Sequence, residues 1–176
     1  PPRTSKAART PPRGSAANRP HIAIITARSN AVVTDALERG ALAAANGTAT
    51  VETFSAAGSF ELLALTRQAA ANTAFHGVLA LGCIIRGQTR HDEFLGHAVT
   101  SGLARIAIET GVPIGLGVLT VENEQQALVR AGLATPRARG KIKPAHGNKG
   151  EEAMHALIAS IHEARRIARS KPGGGR

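Results

Sequence analysis

Gly82-Cys83-Ile84-Ile85-Arg86-Gly87-Gln88-Thr89-Arg90-His91-Asp92-Glu93-Phe94 joins two patterns of different period. Ahead of it, Gly77 to Gly82 with Val78, Leu79, Ala80 and Leu81 is a continuous apolar run, as a strand buried on both faces requires. Behind it, Leu95, Val99, Gly102 and Ile106 recur on one face of a helix. Between the two lies a polar turn with two arginines, a histidine and two acids. A strand, a turn and a helix make half of an α/β unit, and open α/β sheets bind ligands beyond the carboxyl ends of their strands. The densest group of reactive side chains therefore falls where such a fold would hold a ligand.

The same alternation extends in both directions. Upstream, His21 to Thr26 reads as a buried strand, and Thr26 to Asn30 as a polar turn. Val33, Leu37, Ala41 and Ala44 then mark a helix that Asn46-Gly47 ends. Thr48 to Phe54 predicts a second strand, and Ser59 an N-cap for a helix running to about Asn72, with Phe60 and Glu61 in its first turn. His76 to Gly82 is the third strand, and the helix that leaves the central turn runs to about Thr110. Downstream, Gly111-Val112-Pro113 resets the chain, Ile114 to Thr120 predicts a fourth strand, and Glu122 to Ala131 a short helix. Asn148 caps a last helix, with Met154, Leu157, Ile158 and Ile161 on its apolar face. The order β-α-β-α-β-α-β-α-α predicts an α/β fold. Its core is a four-stranded parallel sheet flanked by helices on both faces, a flavodoxin-like three-layer sandwich. Right-handed crossovers bring the four strand-to-helix turns to one edge of the sheet.

Charge divides the chain differently. The formal net charge is +10, yet residues 1–19 hold five basic residues and residues 165–176 another five, neither with an acid. The body between them carries 12 basic and 12 acidic residues, so it is neutral. The sequence predicts a disordered basic N-terminal tail over 1–20, one α/β domain over 21–168 and a flexible basic C-terminal tail over 169–176. Residues 132–147, with Pro136, Pro144 and four basic residues from Arg137 to Lys143, read as an exposed loop. One cysteine, Cys83, excludes an internal disulfide framework. No apolar run approaches the roughly 18 residues of a membrane span, and there is no apolar secretory segment, so no membrane partner and a cytoplasmic location are expected. The tails lack aromatic residues, so nucleic acid is expected to bind only non-specifically, through their charge.

At the predicted edge stand Asn30, Glu61, Arg86, Gln88, Thr89, His91, Asp92 and Glu93. An imidazole that titrates near neutrality, beside carboxylates at a helix start, suits proton transfer. Gly87-Gln88-Thr89 offers backbone N–H groups just before a helix, a favourable place for phosphate. Arg86 and Glu61 also read as a structural pair, and Cys83 as a packed small hydrophobe. Composition and spacing alone reach an α/β protein with a phosphate-tolerant site near His91.

Four motifs in order resemble the lumazine synthase family. They are Gly58-Ser59-Phe60-Glu61, Gly82 to His91, the block from Gly117 to Gly132, and Asn148-Lys149-Gly150. The resemblance covers roughly residues 21–168. It implies condensation of 5-amino-6-(ribitylamino)uracil with 3,4-dihydroxy-2-butanone 4-phosphate to 6,7-dimethyl-8-ribityllumazine, the chemistry of riboflavin biosynthesis, with no metal and no organic cofactor. By position it makes His91 the catalytic proton carrier. Gln88, Thr89 and Arg130 hold the phosphate, Ser59 and Glu61 meet the ribityl chain, and Lys149 borders both. Phe60, Ile85, Asn30 and Ser29 line the substrate site. It further implies a homo-oligomer of pentamers with sites between subunits, the residue at Leu116 coming from the neighbour. Ser29 stands where the family usually has an aromatic wall for the pyrimidine, and Leu116 where it often has Phe. Glu93 falls at the family's carboxylate beside the histidine. These departures keep open a low-activity ligand-binding or shell-forming relative. The long, basic 132–147 link predicts an assembly that stops at a pentamer or a small multiple of it, short of a sixty-subunit shell.

Overall fold

The computed structural model describes residues 19–133 and 147–170. The expectations for the tails before Arg19 and after Ser170, and for the loop at 134–146 with its bearing on assembly, lie outside the described residues. The elements alternate as β1 (His21–Ala27), α1 (Ala31–Ala45), β2 (Thr50–Ala56), α2 (Leu62–Ala71), β3 (Gly77–Ile85), α3 (His91–Thr110), β4 (Ile114–Val121), α4 (Glu124–Arg130) and α5 (Lys149–Arg169). The four strands form one parallel sheet in the order β2-β1-β3-β4. No helix among the described residues is long and apolar enough to cross a membrane.

Side-chain alternation builds the layers. Ile22 and Ile24 of β1 and Leu79, Leu81 and Cys83 of β3 face α1, α4 and α5, where they meet Leu37, Ala127, Met154, Leu157 and Ile161. Their neighbours Ala23, Ile25, Val78 and Ala80 face α2 and α3, against Leu62, Ile106, Val99 and Leu103. Central strands buried on both sides need no polar face, which is why β3 is apolar from Gly77 to Ile84.

Several boundaries differ from the sequence expectation, three of them for a clear structural reason. β3 runs to Ile85 because Cys83, Ile84 and Ile85 pair with Leu119, Thr120 and Val121 of β4. β2 begins at Thr50, since the N–H groups of Thr48 and Ala49 are taken by the Ala45 carbonyl as α1 closes. α2 begins at Leu62 without a side-chain cap, so Ser59 is not its N-cap. Asn148 does cap α5: its Oδ1 accepts from the N–H of Gly150 at 2.8 Å and of Glu151 at 3.3 Å. Its Nδ2 also donates to the carbonyls of Ala36 (2.7 Å) and Ala131 (2.9 Å), tying the start of α5 to α1 and to the end of α4. Gly40 and Gly150 permit this close approach, because a Cβ at either would overlap the Asn148 side chain or the Leu37 backbone.

Candidate functional site

The turns after β1, β2 and β3 surround a cavity of 530 Å³ at the carboxyl edge of the sheet. It is lined by Ser29, Asn30, Ser59, Phe60, Glu61, Ile85, Thr89 and His91, together with Gly58, Cys83, Ile84, Gly87, Asp92 and Leu95. Gln88 lines the adjoining groove with Arg86, Arg90, Glu93 and Glu122.

Local geometry explains each placement. Asn30 has φ 56° and ψ 46°, the left-handed region that asparagine tolerates better than most residues. That turn lets its Nδ2 donate to the Cys83 carbonyl at 2.9 Å, which ties the β1 turn to the end of β3. Ser59 is 4% exposed, and its hydroxyl is buried without a hydrogen-bond partner in the described protein. A buried hydroxyl left unpaired costs about 1–3 kcal/mol, and Ser59 is one of the residues that line the cavity wall. Phe60 is 57% exposed and presents an aromatic face. His91 opens α3, its N–H 3.5 Å from the Thr89 hydroxyl, and Asp92 and Glu93 follow in the first turn. Asp92 Oδ1 accepts weakly from the Gly87 N–H at 3.5 Å. Cys83 is buried and its thiol is pushed up to about 11 by desolvation, which leaves it protonated and packed at neutral pH.

Two sequence readings of charge partners are corrected. Arg86 pairs with Glu122 at 2.8 Å, not with Glu61, because the extended β3 carries it alongside the β4 turn. Its own N–H also donates to the Val121 carbonyl. Glu93 turns to Arg90, with bonds of 3.0 and 3.2 Å, and the Arg90 guanidinium lies over the Phe94 ring. The carboxylate beside His91 that reaches the cavity is therefore Asp92. The family resemblance pointed to Glu93, by its position relative to the histidine.

Leu116, Arg130 and Lys149 do not line this cavity. They share a separate concavity of 380 Å³ with Gly117 to Thr120, Glu152 and Ala153, along the outer edge of β4. Arg130 closes α4 and Lys149 opens α5, where its ammonium meets Glu152 at 2.6 Å. Leu116 is 54% exposed there. The lining of the main cavity contains neither lysine nor arginine, and the two arginines of the adjoining groove are engaged by Glu122 and Glu93. Among the described residues no group of three or more His, Cys, Asp and Glu is arranged to hold a metal ion.

Residues 19–165 match the family described as 6,7-dimethyl-8-ribityllumazine synthase. The enzyme of that name from Corynebacterium urealyticum is 43% identical over 148 residues, covering 84% of this chain and 86% of its own. Those from Kineococcus radiotolerans and Bdellovibrio bacteriovorus are 41% and 40% identical, covering 84% and 80% of this chain and 86% and 73% of theirs.

Proposed function

The chain belongs to the 6,7-dimethyl-8-ribityllumazine synthase family, and we propose that it carries out the family's condensation in a site that two copies of the chain complete together. The substrates are 5-amino-6-(ribitylamino)uracil and 3,4-dihydroxy-2-butanone 4-phosphate. The 5-amino group adds to the ketone carbon, and water leaves to give an imine. A carbon-bound proton and the phosphate then leave in an elimination. The resulting enol tautomerises to a ketone, the ribityl-bearing nitrogen closes on it, and a second water leaves.

Each step but the first bond formation moves a proton, and His91 is the group placed to carry it. It stands exposed at the cavity rim at the start of α3, with Asp92 beside it. The Ser59 hydroxyl and the Glu61 carboxylate, both on the wall formed by the β2–α2 turn, accept and donate to the polyol chain. Asn30, Ile85, Phe60 and Ser29 enclose the pyrimidine ring. Thr89 and Gln88 offer donors to the phosphate.

The observation that carries the shared site is the separation of charge. A dianionic substrate enters a cavity whose described lining has no lysine or arginine, while Arg130 and Lys149 line a separate concavity along β4. A second copy whose β4 edge docks over the cavity brings Arg130, Lys149 and Leu116 to the phosphate and the ring. It also covers the exposed Phe60 and Leu116 side chains. Repetition of such a head-to-tail arrangement closes a ring where its rotation closes, and the resemblance to the family supports a ring of five.

Mixing two inactive variants tests this. His91→Ala and Arg130→Ala subunits, dissociated together in equal amounts and reassembled, place an intact His91 opposite an intact Arg130 in about a quarter of the sites of a ring. Product absorbance recovering to about that fraction is the expected result. Recovery no greater than the two variants separately would place both residues in one subunit's site and overturn the reading.

A further inference from the structure

The carboxylates around the turn after β3 are not equivalent. Glu122 is held by Arg86 at 2.8 Å, and Glu93 by Arg90 at 3.0 and 3.2 Å. Asp92 is half-buried between them and has no ion-pair partner among the described residues. With Gly87 and Thr89 it lines both the main cavity and the adjoining groove. Its charge is felt there: the Arg86 guanidinium is pushed above its ordinary pKa chiefly by its bond to Glu122 and in smaller part by Asp92.

The backbone beside Asp92 is a row of donors. The Arg86 N–H is still spent on the Val121 carbonyl of β4. Beyond it the chain leaves the sheet, and the N–H groups of Gln88 and Thr89 have no acceptor among the described residues. The Gly87 N–H meets Asp92 Oδ1 at 3.5 Å, the limit of a hydrogen bond. A Cβ at Gly87 would meet nothing within 4 Å, so the space in front of the turn is open. Successive N–H groups ahead of a helix start favour an anion. In the free fold the anion at this turn is the chain's own carboxylate.

We propose that Asp92 sets the affinity of this site for phosphate: its carboxylate stands at the turn that receives the group and keeps binding weak, so that the phosphate released by the condensation does not stay to block the next substrate. The proposal rests on the reading that this cavity carries the condensation. A phosphate oxygen accepting from the Gly87 N–H at the usual ~2.9 Å lies within about 5 Å of the Asp92 carboxylate. Like charges at about that separation lower affinity roughly fivefold even in a water-like dielectric. The penalty falls on substrate and inorganic phosphate alike. The substrate has its ketone and hydroxyls to hold it as well, and the free ion has nothing else.

The test uses the assembled full chain with inorganic phosphate as the probe, titrated by calorimetry and, separately, as an inhibitor of product formation. Asp92→Asn keeps an oxygen for the Gly87 N–H and removes the charge. It is expected to bind phosphate roughly fivefold tighter than the parent at low salt, by a margin that shrinks as salt screens the repulsion. In steady state its KM for the butanone phosphate falls by a similar factor and its KM for the pyrimidine does not change. A purely structural role for Asp92 would move both KM values, or kcat alone. Asp92→Glu, which restores the charge, returns the affinity toward that of the parent. Glu109→Gln, the same loss of charge near the far end of α3, alters neither phosphate affinity nor KM. Phosphate affinity in Asp92→Asn equal to the parent's or weaker overturns the proposal. So does equal tightening in Glu109→Gln, which would assign the effect to net charge. A parent that binds phosphate and forms no product refutes the condensation, and the calorimetric comparison then still decides the role of Asp92.

Discussion

Replacing Asn148 by alanine removes more than a helix cap. Its Oδ1 holds the N–H groups of Gly150 and Glu151, and its Nδ2 holds the carbonyls of Ala36 and Ala131. Loss of the cap costs about 1 kcal/mol. The two partly buried carbonyls each lose a bond worth about 1 kcal/mol. The sum, about 3 kcal/mol, corresponds to a fall in Tm of roughly 6–12 °C for a chain of this length. Thermal unfolding followed by circular dichroism, at one fixed protein concentration because assembly adds to stability, measures it. Asn148→Asp separates the two functions of the side chain. The carboxylate keeps the cap but sets an oxygen against two carbonyl oxygens at the positions now 2.7 and 2.9 Å from Nδ2. It is expected to be at least as destabilising as alanine despite its better match in size. A loss in Asn148→Ala no larger than that of an ordinary cap, with Asn148→Asp as stable as the parent, would refute the view that this amide ties α5 to α1 and α4.

Three further outcomes are expected. His91→Ala slows the condensation by about 100-fold, the lower end for a general acid–base group, because amine and ketone also react unaided; an unchanged kcat would remove His91 from the mechanism. Ser29→Trp tightens binding of a lumazine analogue in calorimetry, since Ser29 is an exposed part of the cavity wall where the ring lacks a stacking partner; weaker binding would mean that the space is already filled. The His76 imidazole is held below its usual pKa, chiefly by burial, so the folded state binds fewer protons than the unfolded one and stability falls as pH drops below about 6.5 toward the folded value. In His76→Asn, which keeps an acceptor but does not titrate, the decline in Tm between pH 7 and 5 is expected to be shallower; an equal decline would assign the effect to other groups.

What could be read from the sequence was local in origin. Alternating strand and helix periods, the Asn46-Gly47 and Gly111 stops and the Asn148 cap each depend on neighbours within a turn or two. They specified the parallel α/β sandwich, the order of its elements and the position of His91 at a helix start. Four motifs at family spacing added the chemistry. Ser59 and Arg86 show where that reading stops. Ser59 has the composition of a cap, but its backbone turns one step earlier than α2 and buries its hydroxyl at the cavity wall. Arg86 has an acid available on several segments, and only the pairing of Ile85 with Val121 decides that Glu122 is the one it meets.

The sequence by itself determined which elements form and which reactive groups lie at strand ends, because hydrophobic period and turn chemistry act over a few residues. Tertiary structure decided which of those groups share a surface. Arg130 at the end of α4 and Lys149 at the start of α5 belong to the same block of motifs as the site residues, yet β4 lies at the edge of the sheet and α4 and α5 pack on the face opposite α3, so these cations line a different concavity. Arg19 and the end of α5 at Arg169, separated by nearly the whole described chain, come to one edge because β1 starts there and α5 runs antiparallel to the strands. Strand order, register and the direction of a packed helix relate residues far apart in sequence, and no local pattern encodes them.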